Sequence, residues 1–344
     1  MESQPAATQE PALSRWGRRA ITLSLYPALF VTVLALLPLL APLALAVDLV
    51  RGKRFATLRC LVFFLVSLAC ELAGIVAAGA LWLAAPLHGG LGSERSRVLH
   101  YRLQGWWANA LYRGTELIYG LSRELDEGDA DPGRGPVIVF ARHASVGDTV
   151  IPAVYLTRRH GLRLRYVLKR ELLWDPCLDL VGNRLPNYFV QRGSSDTGGE
   201  SERVARLLES LGPRDGVLIY PEGTRFTPSK RERVLARMEK SADARLVARA
   251  RGFERVLPPR LGGSLALLDR NPGADVLFCA HVGFDAASTF WHFWNGTLVG
   301  ETIRVRFWRV PAAEIPKERD ARIDWLFGQW ERMDAYVREK YPAT

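Results

Sequence analysis

The chain has 344 residues, 48% of them hydrophobic and 24% charged, enough apolar material for one or two packed cores and too much for a disordered or low-complexity protein. Cys60, Cys70, Cys177 and Cys279 are scattered without a C-x-x-C pair, which excludes a disulfide framework and a cysteine-based zinc site. The formal charge of +10 calls for an anionic counterpart; without any nucleic-acid-binding signature, a lipid surface or phosphorylated substrate fits better than nucleic acid.

Residues 1–20 read as a basic tail carrying Arg15, Arg18 and Arg19. Residues 21–87 hold two apolar runs: Ile21 to Val47 has no charged side chain, and Thr57 to Leu87 has only Arg59 and Glu71. Each exceeds the ~20 residues needed to cross a hydrocarbon core. A cleavable signal peptide competes for the first run, but the run's length and the immediate second run argue against it. Basic residues flank the first run at both ends, with Arg51, Lys53 and Arg54 between the two, so the positive-inside rule gives a conflicting orientation. Pro27, Pro38 and Pro42 are expected to bend or interrupt a helix. These features together predict a membrane-embedded helical hairpin, broken or re-entrant, whose basic tip returns to the side it left. Glu71 reads equally as a functional group or as a carboxyl partnered between packed helices.

Residues 88–127 change to an amphipathic pattern, with Leu99, Leu103, Trp106, Trp107, Ala110, Leu111, Leu117 and Leu121 set against Arg95, Arg97, Arg102 and Arg113, and with Ser93 as N-cap. Trp, Tyr and Arg on one helix favour the headgroup layer, with an ordinary core helix as the alternative. A turn-rich linker, Gly128 to Gly135, opens the remaining region, 128–344. Apolar strands near 137–140, 164–168, 188–190, 217–220 and 276–280 alternate with helices near 149–160, 200–211 and 230–250. This is the spacing of an α/β fold, a mostly parallel sheet flanked by helices. Thr302 to Val310 reads as a further strand at an edge, and Ile323, Leu326, Trp330, Met333 and Val337 give the apolar stripe of a closing helix.

Two motifs fall just after predicted strands, where open α/β sheets collect their ligands. His143 has Asp148 five residues on: an imidazole can take a proton from a hydroxyl, and a carboxylate on its other nitrogen fixes the tautomer. A turn histidine capped by a nearby aspartate is the bland alternative. Glu222, Gly223, Thr224 and Arg225 form a turn whose amides and guanidinium could grip a phosphate, or simply a structural turn. No P-loop and no G-x-S-x-G elbow occurs.

Taken together, His143 to Asp148 and Pro221 to Arg225 resemble the glycerolipid acyltransferases of the lysophosphatidic acid acyltransferase family. Leu168 to Leu172, with Lys169, and Phe189 to Arg192 resemble that family's second block, and Leu257 to Gly263, with Arg260, its fourth, in the form of the lysophosphatidate and lysocardiolipin acyltransferase branch. The resemblance implies that His143, oriented by Asp148, deprotonates a lysophospholipid hydroxyl, which attacks the thioester of an acyl donor. Lys169, Arg192, Glu222, Gly223, Thr224, Arg225 and Arg260 would hold substrate. It implies acyl-CoA or acyl-carrier protein as donor substrate, membrane lipids as partners, no cofactor and no metal. It further implies residence in the inner, cytoplasmic membrane with the catalytic domain facing the cytoplasm. The chain departs from the family in having Arg142 where Asn usually precedes the histidine, and in lacking a Gly near Pro186 and Asn187. An inactive lipid-binding protein of the same fold and a thioester hydrolase remain the competing readings.

Overall fold

The computed structural model describes residues 10–145, 147–190, 197–241 and 243–341. Its strands are β1 (Ser122–Asp126), β2 (Val137–Ala141), β3 (Arg163–Lys169), β4 (Tyr188–Val190), β5 (Asp215–Ile219), β6 (Asp275–Val282) and β7 (Thr302–Val310). The helices are α1 (Ala12–Arg51), α2 (Ala56–Leu83), α3 (Glu94–Tyr119), α4 (Val150–Pro152), α5 (Pro176–Gly182), α6 (Thr197–Ala205), α7 (Pro228–Ser241), α8 (Ala244–Arg251), α9 (Leu261–Asp269), α10 (Phe290–Asn295) and α11 (Arg319–Lys340). They form two interleaved units. One comprises Met1–Ser122, Thr149–Ser194 and Thr289–Glu301; the other comprises Arg123–Asp148, Ser195–Ser288 and Thr302–Thr344.

In the first unit, α1 and α2 pair as a hairpin. The expectation of a proline-broken first helix is corrected: α1 runs unbroken for 40 residues through Pro27, Pro38 and Pro42. At 100° per residue the three prolines fall on one side of the helix, so the lost hydrogen bonds are confined to one stripe while the ladder continues elsewhere. The turn is tight, with Gly52, Arg54 and Phe55 all at positive φ. Asp48 holds it by accepting the N–H groups of Thr57 and Leu58, both at 2.9 Å, which caps α2. Much of the hairpin's apolar surface is unburied, including Val31 at 63% and Leu39 at 67% exposed. Both helices are long and apolar enough to cross a membrane, and few of their side chains are buried within the protein.

Both ends of α1 are fastened within this unit. Arg18 and Arg19 donate to the buried carboxylate of Asp179 on α5, at 2.6 and 2.9 Å, and Arg51 donates to the carbonyl of Trp294 and the side chain of Asn295 at the end of α10. Glu71 is the partnered carboxyl of the two readings offered: it accepts the Trp107 indole N–H at 3.0 Å. The cap on α3 is as expected, with Ser93 Oγ accepting the Ser96 N–H. Its buried face is different, however. Tyr101, Leu103, Ala108, Tyr112 and Tyr119 are buried together with His100 and Gln104, while Trp106 and Leu117 stay exposed. The predicted helix near 149–160 is α4 continued as a π-helix over Ala153–Arg159. Strands β3 and β4 pair in parallel, Val167 opposite Tyr188.

The second unit is built on the strand order β1-β7-β6-β2-β5, with β2 parallel to both β5 and β6, and β7 antiparallel to β6. Every residue of β2 is buried, the pattern of a central strand covered on both faces. Thr302 to Val310 is not an edge as expected, because β1 lies outside it. That edge strand was assigned to the preceding helical region because Ser-Arg-Glu-Leu-Asp shows no apolar alternation. Its charges instead pair along the sheet rim, Glu124 with Arg304 and Asp126 with Arg306. The stretch near 230–250 is two helices, α7 and α8, the second capped by Asp243 accepting the Arg245 N–H. Leu326, Trp330, Met333 and Val337 of α11 are buried as predicted, and Phe278 of β6 stacks on Trp308 and meets Trp330.

Candidate active site

Three adjacent strands, β6, β2 and β5, end on the same side in parallel, and the loops that follow them meet. His143 leaves β2 with its ring nearly buried, its Nδ1 3.3 Å from Asp148 Oδ2. The same Oδ2 accepts the N–H groups of Ala144 and Ser145, and Oδ1 accepts the Ser145 hydroxyl at 2.8 Å. Burial alone would raise the Asp148 pKa, but His281, His143 and the backbone donors outweigh it and hold the group at about 2. An ionised Asp148 orients His143 so that Nδ1 donates, which leaves the imidazole's basic lone pair on Nε2.

The loop after β5 carries the second motif. Glu222, 1% exposed, faces inward: Oε1 accepts the His143 N–H at 2.7 Å and Oε2 the Leu257 N–H at 2.9 Å. It therefore ties three loops together from inside. Burial pushes its pKa up to about 8, against the pull of Arg142 and the two amide donors. Gly223 sits at φ +65°, a left-handed turn that favours glycine, and a Cβ there would lie 2.7 Å from Arg260 Nε. Thr224 is half-buried in the same turn. Arg260 thus lies over the turn, its own N–H donating to the Pro221 carbonyl, and Arg225 donates to the Ser288 carbonyl at 3.1 Å. Of the predicted residues, the structure brings together His143, Asp148, Glu222, Gly223, Thr224, Arg225 and Arg260. Lys169 ends β3 in the other unit, and Arg192 lies outside the described residues.

Sequence reasoning missed the contribution of β6. His281, 1% exposed, has Nε2 2.9 Å from the Arg142 carbonyl and 3.7 Å from Asp148 Oδ1. Arg142 itself is 1% exposed and forms a bidentate pair with Asp285 at 2.9 and 2.5 Å, while also donating to the carbonyls of His281 and Arg255. The residue that departs from the resembled pattern is therefore a staple, and Asp285 is its counter-charge. A histidine and an aspartate four residues apart at the end of a predicted strand were the available signal; the strand order that places them beside β2 was not.

Residues 122–259 match the family profile described as Acyltransferase. Over this segment the chain is similar to that family. The chain is also similar to a mouse (Mus musculus) protein named 1-acyl-sn-glycerol-3-phosphate acyltransferase epsilon, 23% identical over 226 residues, which are 63% of this chain and 61% of that protein's length. In structure it is similar to PlsC, the 1-acyl-sn-glycerophosphate acyltransferase of Thermotoga maritima, with a TM-score of 0.55 and 14% identity, covering 83% of this chain and 96% of that one. The matched profile spans β1 to the Pro258–Pro259 approach to α9, so the matched segment contains the loops after β2 and β5, whereas the β6 loop lies beyond it.

Proposed function

We propose that the chain is a membrane-associated O-acyltransferase that moves a fatty acyl group from a thioester donor to the free hydroxyl of a lysophospholipid, with 1-acyl-sn-glycerol 3-phosphate as acceptor and phosphatidate as product. The observation that carries this reading is the His143–Asp148 pair, with Asp148 ionised in a dry site. His143 Nε2 takes the acceptor's hydroxyl proton as that oxygen attacks the thioester carbonyl. The tetrahedral intermediate collapses with cleavage of the carbon–sulfur bond, and the imidazolium returns its proton to the leaving thiolate. No acyl-enzyme forms. Arg225 and Arg260 supply cations for the acceptor phosphate, while Gly223 and Thr224 shape the turn. Glu222 contributes by fixing the loops rather than by touching lipid.

The donor is acyl-CoA or acyl-carrier protein, arriving from water, and the exposed apolar hairpin supports delivery of the acceptor from a bilayer. Both ends of α1 are tied to elements of the same unit, which favours a hairpin that keeps its two ends on one side of the membrane, and we propose the cytoplasmic membrane, with the catalytic domain facing the cytoplasm, as its location. The purified protein, presented with a panel of lysophospholipids and both labelled donors, should give phosphatidate by mass spectrometry. In the same assay His143→Ala should lower turnover by about 10²- to 10⁴-fold while membrane association and helix content are kept. Turnover retained in that variant would reject the base, and fatty acid release indifferent to added lysolipid would reject acyl transfer.

A further inference from the structure

Between β6 and β7 the chain makes an excursion, Thr289–Glu301, that belongs to the hairpin-bearing unit. Its helix α10 reads Phe-Trp-His-Phe-Trp-Asn, four aromatic carbocycles and indoles in six residues. The helix uses two of them inward. Phe293 stacks on Phe63 of α2 with ring centroids 5.4 Å apart and meets Tyr119 at 5.9 Å, and Arg51 lies over the Trp294 ring at 5.3 Å while donating to its carbonyl and to Asn295. Gly296 closes the docking, since a Cβ there would stand 2.7 Å from Ala56 Cβ at the start of α2. The other two rings stay largely exposed: Phe290, at 63%, stacks on Trp294 at 6.4 Å and meets the Trp291 ring at 6.0 Å, and Trp291 is 66% exposed.

The surroundings say what covers them. The same end of the hairpin exposes Leu49 at 70%, Val50 at 89% and Phe55 at 48%, interspersed with Arg51, Lys53 and Arg54. Exposed indole and phenyl rings continuous with apolar helices and ringed by basic side chains are the composition of the headgroup layer of an anionic bilayer, where a ring's apolar body and a cation are both satisfied. We propose that α10 is an interfacial foot: Phe290 and Trp291 enter the headgroup layer of an anionic membrane and set the depth at which the α1–α2 turn sits. This rests on the membrane-associated reading above.

The test is a depth measurement on the full chain, in a background of Cys60→Ala and Cys70→Ala, with a fluorescent thiol label placed at Trp291→Cys, and separately at Leu39→Cys on the hairpin and Ser229→Cys on α7. The protein is reconstituted into phosphatidylcholine vesicles with and without about one-third phosphatidylglycerol. The label at position 291 should be quenched about twofold more by a shallow spin-labelled lipid than by a deep one, more strongly with phosphatidylglycerol than without. The label at position 39 should be quenched by lipid and that at 229 only by aqueous iodide. Lipid quenching at 39 with position 291 open to iodide overturns the foot while leaving membrane embedding intact. Absence of lipid quenching at both overturns the two together. Shielding at 291 that grows with protein concentration in lipid-free detergent assigns the rings to a second copy and also overturns the proposal. Retained helix content in each labelled variant excludes misfolding as the cause.

Discussion

At the scale of single residues, the site is organised by two buried carboxyls held in opposite directions. Asp148 is held at about 2, below its unfolded range, so its ionised form stabilises the fold at neutral pH and that contribution is lost as pH falls toward 2. Asp148→Asn should therefore cost about 2 kcal/mol at pH 7, with the gap to the parent protein closing between pH 5 and pH 2, as followed by thermal unfolding in detergent. Glu222 is the reverse case. Its pKa is raised from 4.5 to about 8, so the folded state keeps a proton that the unfolded state has released, and the parent should lose stability relative to Glu222→Gln as pH rises from 4.5 to about 8, with no further change above. Glu222→Ala should destabilise at any pH, because the His143 and Leu257 amides would each lose their acceptor, at about 1–3 kcal/mol apiece. The His143–Asp148 pair and the turn around Gly223 were legible in the sequence because each motif is local and contiguous. His281 and Asp285 were not, since what makes them part of the site is the adjacency of β6 and β2, set by pairing between segments more than 130 residues apart.

At the scale of elements, the ion pairs of α1 decide how firmly the hairpin is held. Asp179 is 1% exposed and serves both Arg18 and Arg19. Asp179→Ala leaves Arg18, itself 6% exposed, short of a carboxylate, and should destabilise by about 3–5 kcal/mol and make the N-terminal end of α1 accessible to protease in vesicles. Apolar periodicity located β2, β5, β6 and β7 within about two residues and found α1, α2 and α11, although α1 begins at Ala12, well ahead of the apolar run that starts at Ile21. It failed where polarity and burial part company. On α3, His100 and Gln104 are buried and Leu117 is 82% exposed, so the ordinary core helix offered as the alternative does not describe its apolar residues. In β1, a rim strand covered by salt bridges carries no apolar signal at all. Proline spacing on α1 was read as three breaks, whereas its meaning lies in the angle between the prolines around the helix.

At the scale of the molecule, the chain crosses between its two units at Asp148–Thr149 and again at Ser288–Thr289. The sequence pattern suggested a boundary near residue 128, but β1 precedes it and α5, which holds Arg18, Arg19 and the α2 contact, follows it. A chain begun at residue 128 should consequently fail to give a monodisperse folded protein by size-exclusion chromatography and circular dichroism, because it exposes the flank of β7 and strips α5 of its helical partners. These two of the five crossings fall at residues of the candidate site, the first at the aspartate paired with His143 and the second at the carbonyl that accepts Arg225.

That interleaving also fixes an order of events during synthesis. The hairpin and α3 leave the ribosome first, His143 and Asp148 follow, and the loop after β6 with α10 emerges more than 130 residues later. Apolar helices can therefore enter lipid while the strands that complete the site are still untranslated. On the membrane-associated reading proposed above, the anchor is thus in place before the site it serves is complete.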